Sequence, residues 1–350
     1  MAHTPTEAVA TVVGLKVGIV GAGLRGRMFA DVIAGIPGAD IVGFADPYQT
    51  SPDLPVASRP TPVFADTTAL LDSVRPDAVI LATPDHAHAP PAVEVARRGI
   101  AMMLEKPVAT TIDDTRAIRD AVRAGGAPCM VAFENRWSAP FMKIHDLVQS
   151  GILGRPVFQS ANLSNSYHVP TVMLHWAASS SPLWFLMPHT IDLVTWLSDS
   201  WVTTVMARGT RGLLAARGID TWDVVHVVAE LDDGSTATLT SSWVLPEGSP
   251  SIVDFTYELV GSRSSVRTDI GRSGIQHFAD RHVTLGVLDS APNGQNTSAP
   301  AWMARSFVDS IMTGSPVFTT IEDGIAVNNV LFAIERSLAS GRSENVTPLK

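Results

Sequence analysis

The chain has 350 residues, of which 45% are hydrophobic and 17% charged, as is typical of a globular protein with two domains or one large domain. Its net charge of −9 and its scattered Lys and Arg residues argue against a nucleic acid or an anionic membrane as the main partner. The single cysteine, Cys129, excludes an internal disulfide framework and a cysteine zinc cluster, and no metal site is predicted.

The amino-terminal residues lack the pattern of a secretory signal. No Lys or Arg precedes Lys16, and no stretch approaches the roughly 18 consecutive apolar residues of a membrane span. We therefore expect a short disordered leader over residues 1–13 and a cytoplasmic protein.

Residues 14–135 alternate short apolar runs with helical patterns, which predicts a first domain with a doubly wound parallel sheet. The predicted strands are Val17–Val20, Ile41–Ala45, Ala78–Ala82, Ala101–Leu104 and Pro128–Phe133. The predicted helices are Met28–Ile36, Asp66–Asp72, Pro91–Arg98 and Ile112–Ala124. The proline-containing stretch Pro47–Pro62 has no periodicity, so we expect a surface loop there.

Residues 136–350 show a different pattern, which predicts a second α/β domain with a large, mostly antiparallel open sheet. Its predicted strands are Val157–Asn162, Val202–Ala207, Val224–Leu231, Thr236–Val244, Phe255–Val260 and Val266–Ile270. The turn at residues 232–235 is a strong hairpin signal. The predicted helices are Pro140–Ser150, Pro188–Leu197, Ala301–Met312 and Asp323–Ala339. We expect the last three to cover one face of the sheet, which leaves the other face for another subunit.

The segment from Lys16 to Gly26 has the pattern of a dinucleotide fingerprint, because an apolar strand leads into Gly21-x-Gly23-x-x-Gly26 and a helical pattern follows. Gly21 permits the tight turn, Gly23 lets the backbone approach a pyrophosphate, and Gly26 lets helix and strand pack closely. Asp46 follows the second strand, 20 residues beyond Gly26, where an acid accepts hydrogen bonds from an adenosine ribose. An acid there repels a 2′-phosphate, so we expect NAD in preference to NADP. The alternative is that Asp46 only forms an Asx turn before Pro47.

Two polar segments follow predicted strands at the carboxyl edge of the first sheet, where doubly wound proteins bind ligands. The first is Thr83-Pro84-Asp85-His86-Ala87-His88, in which His88 is the stronger candidate for the nicotinamide side and His86 the weaker. The second is Glu105-Lys106-Pro107, whose lysine could stabilise negative charge on a substrate oxygen. The alternatives are ordinary loop histidines and a commonplace surface tripeptide.

His189 and Asp192 begin a predicted helix and share one face at this spacing, so a carboxylate-held imidazole could shuttle a proton. The alternative is a capped helix with a buried polar pair. Aromatic and polar side chains of residues 135–137, 167–168 and 175–176 suit a crevice for a polyhydroxylated ligand, although tryptophans are more often core residues.

Several motifs in their chain order resemble the Gfo/Idh/MocA family, named for glucose–fructose oxidoreductase, inositol dehydrogenase and MocA. The matching segments are VGIVGAGLRGR at 17–27, ADP at 45–47, TPDHAH at 83–88, EKP at 105–107, NRWSAP at 135–140, HTID at 189–192, FVDSIMTGSP at 307–316 and EDGIAV at 322–327. The resemblance implies a Rossmann domain, an open sheet that forms a homodimer or homotetramer, and NAD(P)-dependent oxidation or reduction of a sugar, polyol or related small molecule.

The resemblance also implies the site residues. Lys106 matches the family lysine that contacts the reacting oxygen, and His189 matches the acid/base histidine. The expected cofactor residues are Gly21, Gly23, Leu24, Arg25, Gly26, Asp46, Thr83, Pro84, His86, His88, Glu105, Lys106 and Asn135. The expected substrate residues are Lys106, Arg136, Tyr167, His168, Trp176, Trp184, Phe185, His189 and Asp192.

Phe185 departs from the family pattern, which commonly has an Asp four residues before the histidine. A phenyl ring cannot hydrogen-bond a hydroxyl or share its proton. Either Lys106 and His189 suffice, or another polar group substitutes, or the substrate is less polar than a simple sugar, or catalysis is lost. Two alternatives to a dehydrogenase therefore stay open: a dinucleotide-binding sensor without turnover, and a redox-neutral enzyme with tightly held NAD.

Overall fold

The structure is a computed structural model that describes residues 14–271, 275–278, 282–285 and 295–349, so the predicted leader lies outside the described residues. Its first sheet has seven strands in the order β3-β4-β2-β1-β5-β6-β7. These strands are β1 Leu15–Val20, β2 Ala39–Ala45, β3 Asp53–Val56, β4 Arg59–Phe64, β5 Ala78–Leu81, β6 Ala101–Leu104 and β7 Cys129–Val131. Every pair except β3 with β4 is parallel, which confirms the predicted doubly wound sheet.

Four helices connect these strands: α1 Leu24–Ala34, α2 Thr67–Val74, α3 Ala89–Arg97 and α4 Ile112–Gly125. The chain runs from β1 outward to β2 on one side and later to β5 on the other. A crevice forms at such a reversal of strand order, at the carboxyl ends of the strands. The turns after β1, β2, β5 and β6 all open toward this crevice.

The expectation of a loop over Pro47–Pro62 is wrong, because this stretch contains β3 and most of β4. The two strands form a hairpin with Pro55 opposite Pro60 and with Ala57 and Ser58 in the left-handed backbone region at the turn. Pro55 is tolerated because β3 is the edge strand, and the prolines of β4 precede Val63 and Phe64, the two residues that pair with β2. They concealed a short alternation in which Leu54 and Val56 are buried.

The second sheet also has seven strands, in the order β13-β12-β8-β11-β10-β9-β16. Its strands are β8 Pro156–Ser166, β9 Val202–Thr210, β10 Val224–Leu231, β11 Thr236–Leu245, β12 Val253–Gly261, β13 Ser265–Asp269 and β16 Glu344–Asn345. All neighbouring pairs are antiparallel except β8 with β11, and the predicted hairpin of β10 and β11 is present. A separate antiparallel ribbon pairs β14 Ile275–Phe278 with β15 His282–Leu285.

The helices of the second half are α5 Ala139–Gln149, α6 Pro182–Phe185, α7 Met187–Ser198, α8 Ala299–Thr313 and α9 Ile321–Ser340. Helices α7 and α9 pack on the second sheet as expected. Helix α8 does not, because its Ala301, Met303 and Phe307 lie in the core of the first sheet with residues of β1 and α1. Its apolar stripe suits either sheet, so the sequence pattern did not reveal which one it covers. Within the described ranges, no helix is long and apolar enough to cross a membrane.

Candidate active site

The glycine turn between β1 and α1 has the geometry that a bound pyrophosphate needs. Gly21 has a φ of +97°, and a Cβ atom on it would lie 2.6 Å from the carbonyl oxygen of Ala82. A Cβ on Gly26 would collide with the carbonyl oxygen of Gly21, whereas a Cβ on Gly23 would meet nothing within 4 Å. Since Gly23 caps α1 without a side chain, the first N–H groups of the helix, at Leu24 and Arg25, point into this open space.

Asp46 lies directly beside this turn at the end of β2. Its Oδ2 accepts a hydrogen bond from the backbone N–H of Ala22 at 2.8 Å. Its Oδ1 accepts one from the N–H of Tyr48 at 2.9 Å, which is the Asx turn considered as the alternative. The two interpretations are compatible, because each carboxylate oxygen accepts more than one hydrogen bond.

Glu105 follows β6 and is tied to the glycine turn through Arg25. The Arg25 Nε donates to the Oε1 of Glu105 at 2.6 Å, and its Nη2 pairs with Glu134. Burial opposes ionisation of Glu105 and is the largest influence, but Arg25 and Lys106 together hold the pKa of this carboxyl below its ordinary value. Sequence reasoning missed Glu134, although its position three residues after the end of β7, beside Asn135, was a usable signal.

Lys106 is only 8% exposed, and its ammonium group is held by the residue that departs from the family pattern. The Nζ atom donates to the backbone carbonyl of Phe185 at 2.8 Å and lies 4.5 Å from the centre of its ring. Burial lowers the pKa of Lys106 most strongly and Arg25 acts in the same direction, while Glu105 and Asp85 oppose them. The phenyl ring and carbonyl of Phe185 are therefore immediate neighbours of the lysine ammonium.

His189 lies in the first turn of α7 and is 9% exposed. Its Nδ1 is buried and has no hydrogen-bond partner among the residues that the structure describes. Burial, and then the charges of Lys106 and Arg25, hold the pKa of His189 well below its ordinary value of 6.5. The imidazole is therefore neutral near pH 7 and close enough to Lys106 to feel its charge.

The expected pairing of His189 with Asp192 is wrong. Asp192 is 1% exposed and instead accepts hydrogen bonds from Arg136, at 2.7 Å from Nη2 and at 3.1 Å from Nε. Arg136 also reaches Asp323 at 3.1 Å, at the start of α9. Burial raises the pKa of Asp192 to about 6, while Arg136 opposes this effect. Arg136 and Asp192 thus join the end of the first sheet to α7 and α9.

Three ring-bearing residues line the side of the site next to Lys106 and a fourth is buried behind them; we call His86, Trp176, Phe185 and Trp243 the aromatic wall. The ring centres of Trp176 and Phe185 are 5.9 Å apart, and His86 lies 6.0 Å from Trp176. Trp243, which the sequence did not suggest, packs 5.7 Å from Phe185. Trp176, Phe185 and the solvent-facing His86 therefore form one surface, with the buried Trp243 behind it.

The loop after β5 contributes fewer free groups than expected. His88 is 1% exposed, with Nδ1 2.8 Å from the carbonyl of Pro107 and Nε2 3.1 Å from that of Thr83. Burial lowers the pKa of His88, so a neutral ring donates to one of these carbonyls and supports the loop. The Thr83 Oγ1 is buried and has no hydrogen-bond partner within the described ranges. Pro84, the next residue, is half-buried. Asn135, which follows β7, is also half-buried.

Three expected substrate residues contact other residues or face the solvent. Trp184 is 7% exposed and packs edge-on against Phe332 of α9, at 5.5 Å between ring centres, so it is a core residue. The ring of Tyr167 lies under the guanidinium of Arg217 at 4.0 Å, and His168 is exposed. The structure thus brings together Lys106, Phe185, Trp176 and His189, but not these three.

Two family models match the chain. One, described as the oxidoreductase family with an NAD-binding Rossmann fold, matches residues 15–133, and the other, described as the GFO/IDH/MocA C-terminal domain, matches residues 141–267. An inositol 2-dehydrogenase of Rubrobacter xylanophilus is 28% identical over 345 residues, which cover 96% of this chain and 94% of the relative.

Two solved structures are similar in fold. The scyllo-inositol dehydrogenase of Lactobacillus casei, with bound NAD(H) and scyllo-inositol, has a TM-score of 0.77 and 18% identity, and the match covers 95% of this chain and 99% of that one. GenD2 from gentamicin A biosynthesis, in complex with NAD, has a TM-score of 0.80 and 22% identity over 99% and 100% of the two chains. Both family models, the ordered motifs and these folds agree: the chain belongs to the Gfo/Idh/MocA family of oxidoreductases.

Proposed function

We propose that this chain is an NAD-dependent dehydrogenase that oxidises a secondary alcohol of a cyclic polyol or sugar to the ketone, or catalyses the reverse reduction. The observation that carries the proposal is that a buried Lys106 and a buried His189, whose pKa Lys106 helps to lower, lie at the crevice of the first sheet. One group stabilises negative charge on oxygen and the other moves a proton, which are the two tasks that alcohol oxidation sets the protein.

The glycine turn fits a dinucleotide. Gly23 leaves an open space at the start of α1, where the free N–H groups of Leu24 and Arg25 suit a pyrophosphate. Asp46 is positioned at the end of β2 to accept from ribose hydroxyls, and its charge disfavours a 2′-phosphate, which supports NAD over NADP. NAD, when bound, supplies the acceptor for the hydride that leaves the alcohol carbon.

The proton chemistry belongs to the protein. The Lys106 ammonium donates a hydrogen bond to the substrate oxygen and stabilises the negative charge that grows there as the C–H bond breaks. His189 accepts the proton of the hydroxyl group and returns it in the reverse direction. The low pKa of His189 keeps its ring neutral and ready to accept at pH 7.

The aromatic wall supports a ring-shaped substrate with an apolar face. Trp176 and Phe185 offer ring surfaces, and the indole N–H of Trp176 is the only polar group on their side chains, so they suit the C–H face of a cyclic polyol or sugar. The relatives named inositol dehydrogenase support the same class of substrate. Because Phe185 replaces an acid, we expect the preferred substrate to be less hydroxylated on that side than inositol.

The assembly and location of the protein are also part of the proposal. The outward face of the second sheet exposes Met206 and Val228, which are 46% and 54% exposed. This face supports a homodimer or homotetramer formed through the sheet. We propose a cytoplasmic location with it.

The test is turnover of a panel of inositols, deoxy-inositols, sugars and their keto forms, followed by the absorbance of reduced nicotinamide with NAD and NADP separately. We expect Lys106→Ala to lower kcat by more than about tenfold and to leave NADH binding near normal. Lys143→Ala, at an exposed lysine of α5, is the matched control and should change neither.

Each alternative has its own result. Lysine-dependent turnover supports the dehydrogenase, and full activity of Lys106→Ala would overturn the assignment of this residue. NADH binding without turnover of any substrate would favour the sensor. Turnover that proceeds only with cofactor carried through purification would favour the redox-neutral enzyme.

A further inference from the structure

Asp85 is a buried carboxylate that the proposed chemistry does not use. It follows β5 in the short turn Asp85–Ala87 and is 4% exposed. Its Oδ2 accepts a hydrogen bond from the Ser180 hydroxyl. Its Oδ1 is buried, lies 3.5 Å from the Nδ1 of His86, and has no well-aligned hydrogen-bond donor among the described residues. A buried oxygen in this state is costly unless it has an electrostatic role.

The charge of Asp85 acts on Lys106. Only two carboxylates among the described residues oppose the burial of this ammonium, Glu105 and Asp85. Glu105 is already paired with Arg25 at 2.6 Å, so its charge is largely compensated. The cation nearest to Asp85 on its own turn is His86, whose pKa is raised mainly by this carboxylate but whose ring is 39% exposed and solvated. The negative charge of Asp85 is therefore less compensated by a neighbouring cation than that of Glu105, and it stabilises the ammonium of Lys106.

The same two residues hold one segment of the second half against the first sheet. Ser180, which donates to Asp85, immediately precedes Ser181, the cap residue of α6. Phe185, whose carbonyl accepts from Lys106, is the last residue of that helix. The turn after β5 thus contacts the residue before the cap of α6, and the turn after β6 contacts the last residue of α6, so Asp85 and Lys106 hold the two ends of one short helix.

We propose that Asp85 is a positioning residue that acts through Lys106: it provides, from the first sheet, the negative charge that position 185 does not provide. It keeps the lysine protonated in a buried site and directs its Nζ toward the substrate oxygen. The proposal rests on the proposed function only for its effect on turnover, because its effect on Lys106 is measurable without any substrate.

Three variants separate charge from structure. Asp85→Asn removes the charge but keeps an oxygen that accepts from Ser180. Ser180→Ala removes that hydrogen bond but keeps the charge. Asp85→Asn combined with Phe185→Asp moves the charge to position 185, beside the Nζ of Lys106.

The chain allows a direct readout, because Lys16, Lys106, Lys143 and Lys350 are its only lysines. In protein labelled with ¹³C at lysine Cε, each gives one resonance whose shift reports its protonation, and Lys106→Ala identifies the Lys106 signal. We expect Asp85→Asn to lower the titration midpoint of Lys106 by about one pH unit or more. Ser180→Ala should leave the midpoint near the wild-type value, and adding Phe185→Asp should raise it again.

The other charged groups that face Lys106 are Glu105, Arg25 and His189, and none of these variants alters them. With a substrate in hand, the loss of kcat at high pH should begin at a lower pH in Asp85→Asn than in wild type, because Lys106 must be protonated to stabilise the oxygen. The variant with Phe185→Asp should restore the profile.

An unchanged Lys106 midpoint in Asp85→Asn would overturn the proposal, and so would an equal shift in Ser180→Ala, which would show a purely structural anchor. If Asp85→Asn is unstable, the double variant Asp85→Ala/Ser180→Ala removes both partners of the hydrogen bond and must show the same lowered midpoint. A wild-type protein without turnover would refute the proposed function, but the titration would still show whether Asp85 acts on Lys106.

Discussion

The candidate site has a cofactor half and a substrate half, and different chemical groups form each of them. The cofactor half is mainly backbone: the glycine turn, the start of α1 and the N–H of Ala22 that fixes Asp46. The substrate half consists of side chains from separate segments, among them Lys106 after β6, Phe185 in α6 and His189 in α7. Backbone geometry is encoded locally, whereas a set of side chains is assembled only by the tertiary fold.

The halves also differ in how they treat charge. In the cofactor half, Arg25 neutralises Glu105 at 2.6 Å, at a site where a third of the arginine side chain is exposed. In the substrate half, Lys106 and His189 are buried together, and the pKa of each lies below its ordinary value. Charges are therefore costly there, and a change to a buried charge should disturb the protein more than the same change at the surface.

The largest expected effect comes from breaking the buried ion pair of Arg136 and Asp192, which joins the end of the first sheet to α7. Arg136→Met leaves Asp192 buried without its partner, and we expect a loss of about 3–5 kcal/mol in the free energy of unfolding. Urea unfolding at pH 7.5, followed by tryptophan fluorescence, measures it. The matched control is Arg123→Met, because the Arg123–Glu322 pair also reaches α9 but is 55% exposed on both sides, so its loss should leave the free energy of unfolding nearly unchanged.

Equal losses in the two variants would contradict the comparison between buried and exposed charge. A large loss that is confined to Arg136→Met, and that Asp192→Asn in the same background largely reverses, would show that the cost is that of an unpaired carboxylate. The additivity of these two changes is informative because the side chains are in direct contact.

The same contrast explains how much of the fold was predictable. The five predicted strands of the first sheet and the hairpin of β10 and β11 each carry their signal in adjacent residues, and the structure has them. The β3–β4 hairpin was concealed because its prolines break the usual strand pattern while the alternation of Leu54 and Val56 continues beneath it. Helix α8 was placed on the wrong sheet because amphipathic periodicity specifies a buried face and not the surface that covers it.

The site shows the same limit. The fingerprint and the Glu105-Lys106-Pro107 turn follow strands, so their place at the crevice could be inferred from position alone. The spacing of His189 and Asp192 suggested a pair, yet the carboxylate bonds to Arg136, which is 56 residues away in sequence. Spacing on a helix defines which residues share a face. It does not exclude that a long side chain from another element, here Arg136, bonds to one of them instead.

Cofactor preference offers a test of the locally encoded half, with an intermediate effect. We expect Asp46→Ser to raise the ratio of kcat/KM with NADP to that with NAD by about tenfold or more, equivalent to about 1.4 kcal/mol, because the charge that repels a 2′-phosphate is gone. Asp40→Ser is the control, since Asp40 is exposed at the start of the same strand and far from its carboxyl end. An unchanged ratio in Asp46→Ser would mean that Asp46 serves only the Asx turn with Tyr48.

The smallest expected effect lies in the pH dependence of stability, and it tests the burial of His189. Its folded pKa is well below 6.5, so between these two values the unfolded chain binds a proton that the folded chain does not. The stabilising contribution is complete above pH 6.5 and is lost as the pH falls through and below it. His189→Asn should therefore reduce the loss of unfolding free energy between pH 7.5 and 5.5 by about 1 kcal/mol. Part of the loss should persist, because burial lowers the pKa of His88 as well.

The control is His226→Asn, at an exposed position of β10, and it should keep the full wild-type pH dependence. If both variants lose stability in parallel with wild type as the pH falls, His189 takes up its proton freely in the folded protein. It would then be charged in the pH range where the proposed chemistry needs a proton acceptor. If only His189→Asn flattens the curve, the imidazole is held neutral by its surroundings, and the substrate half gains this property from packing that no local motif specifies.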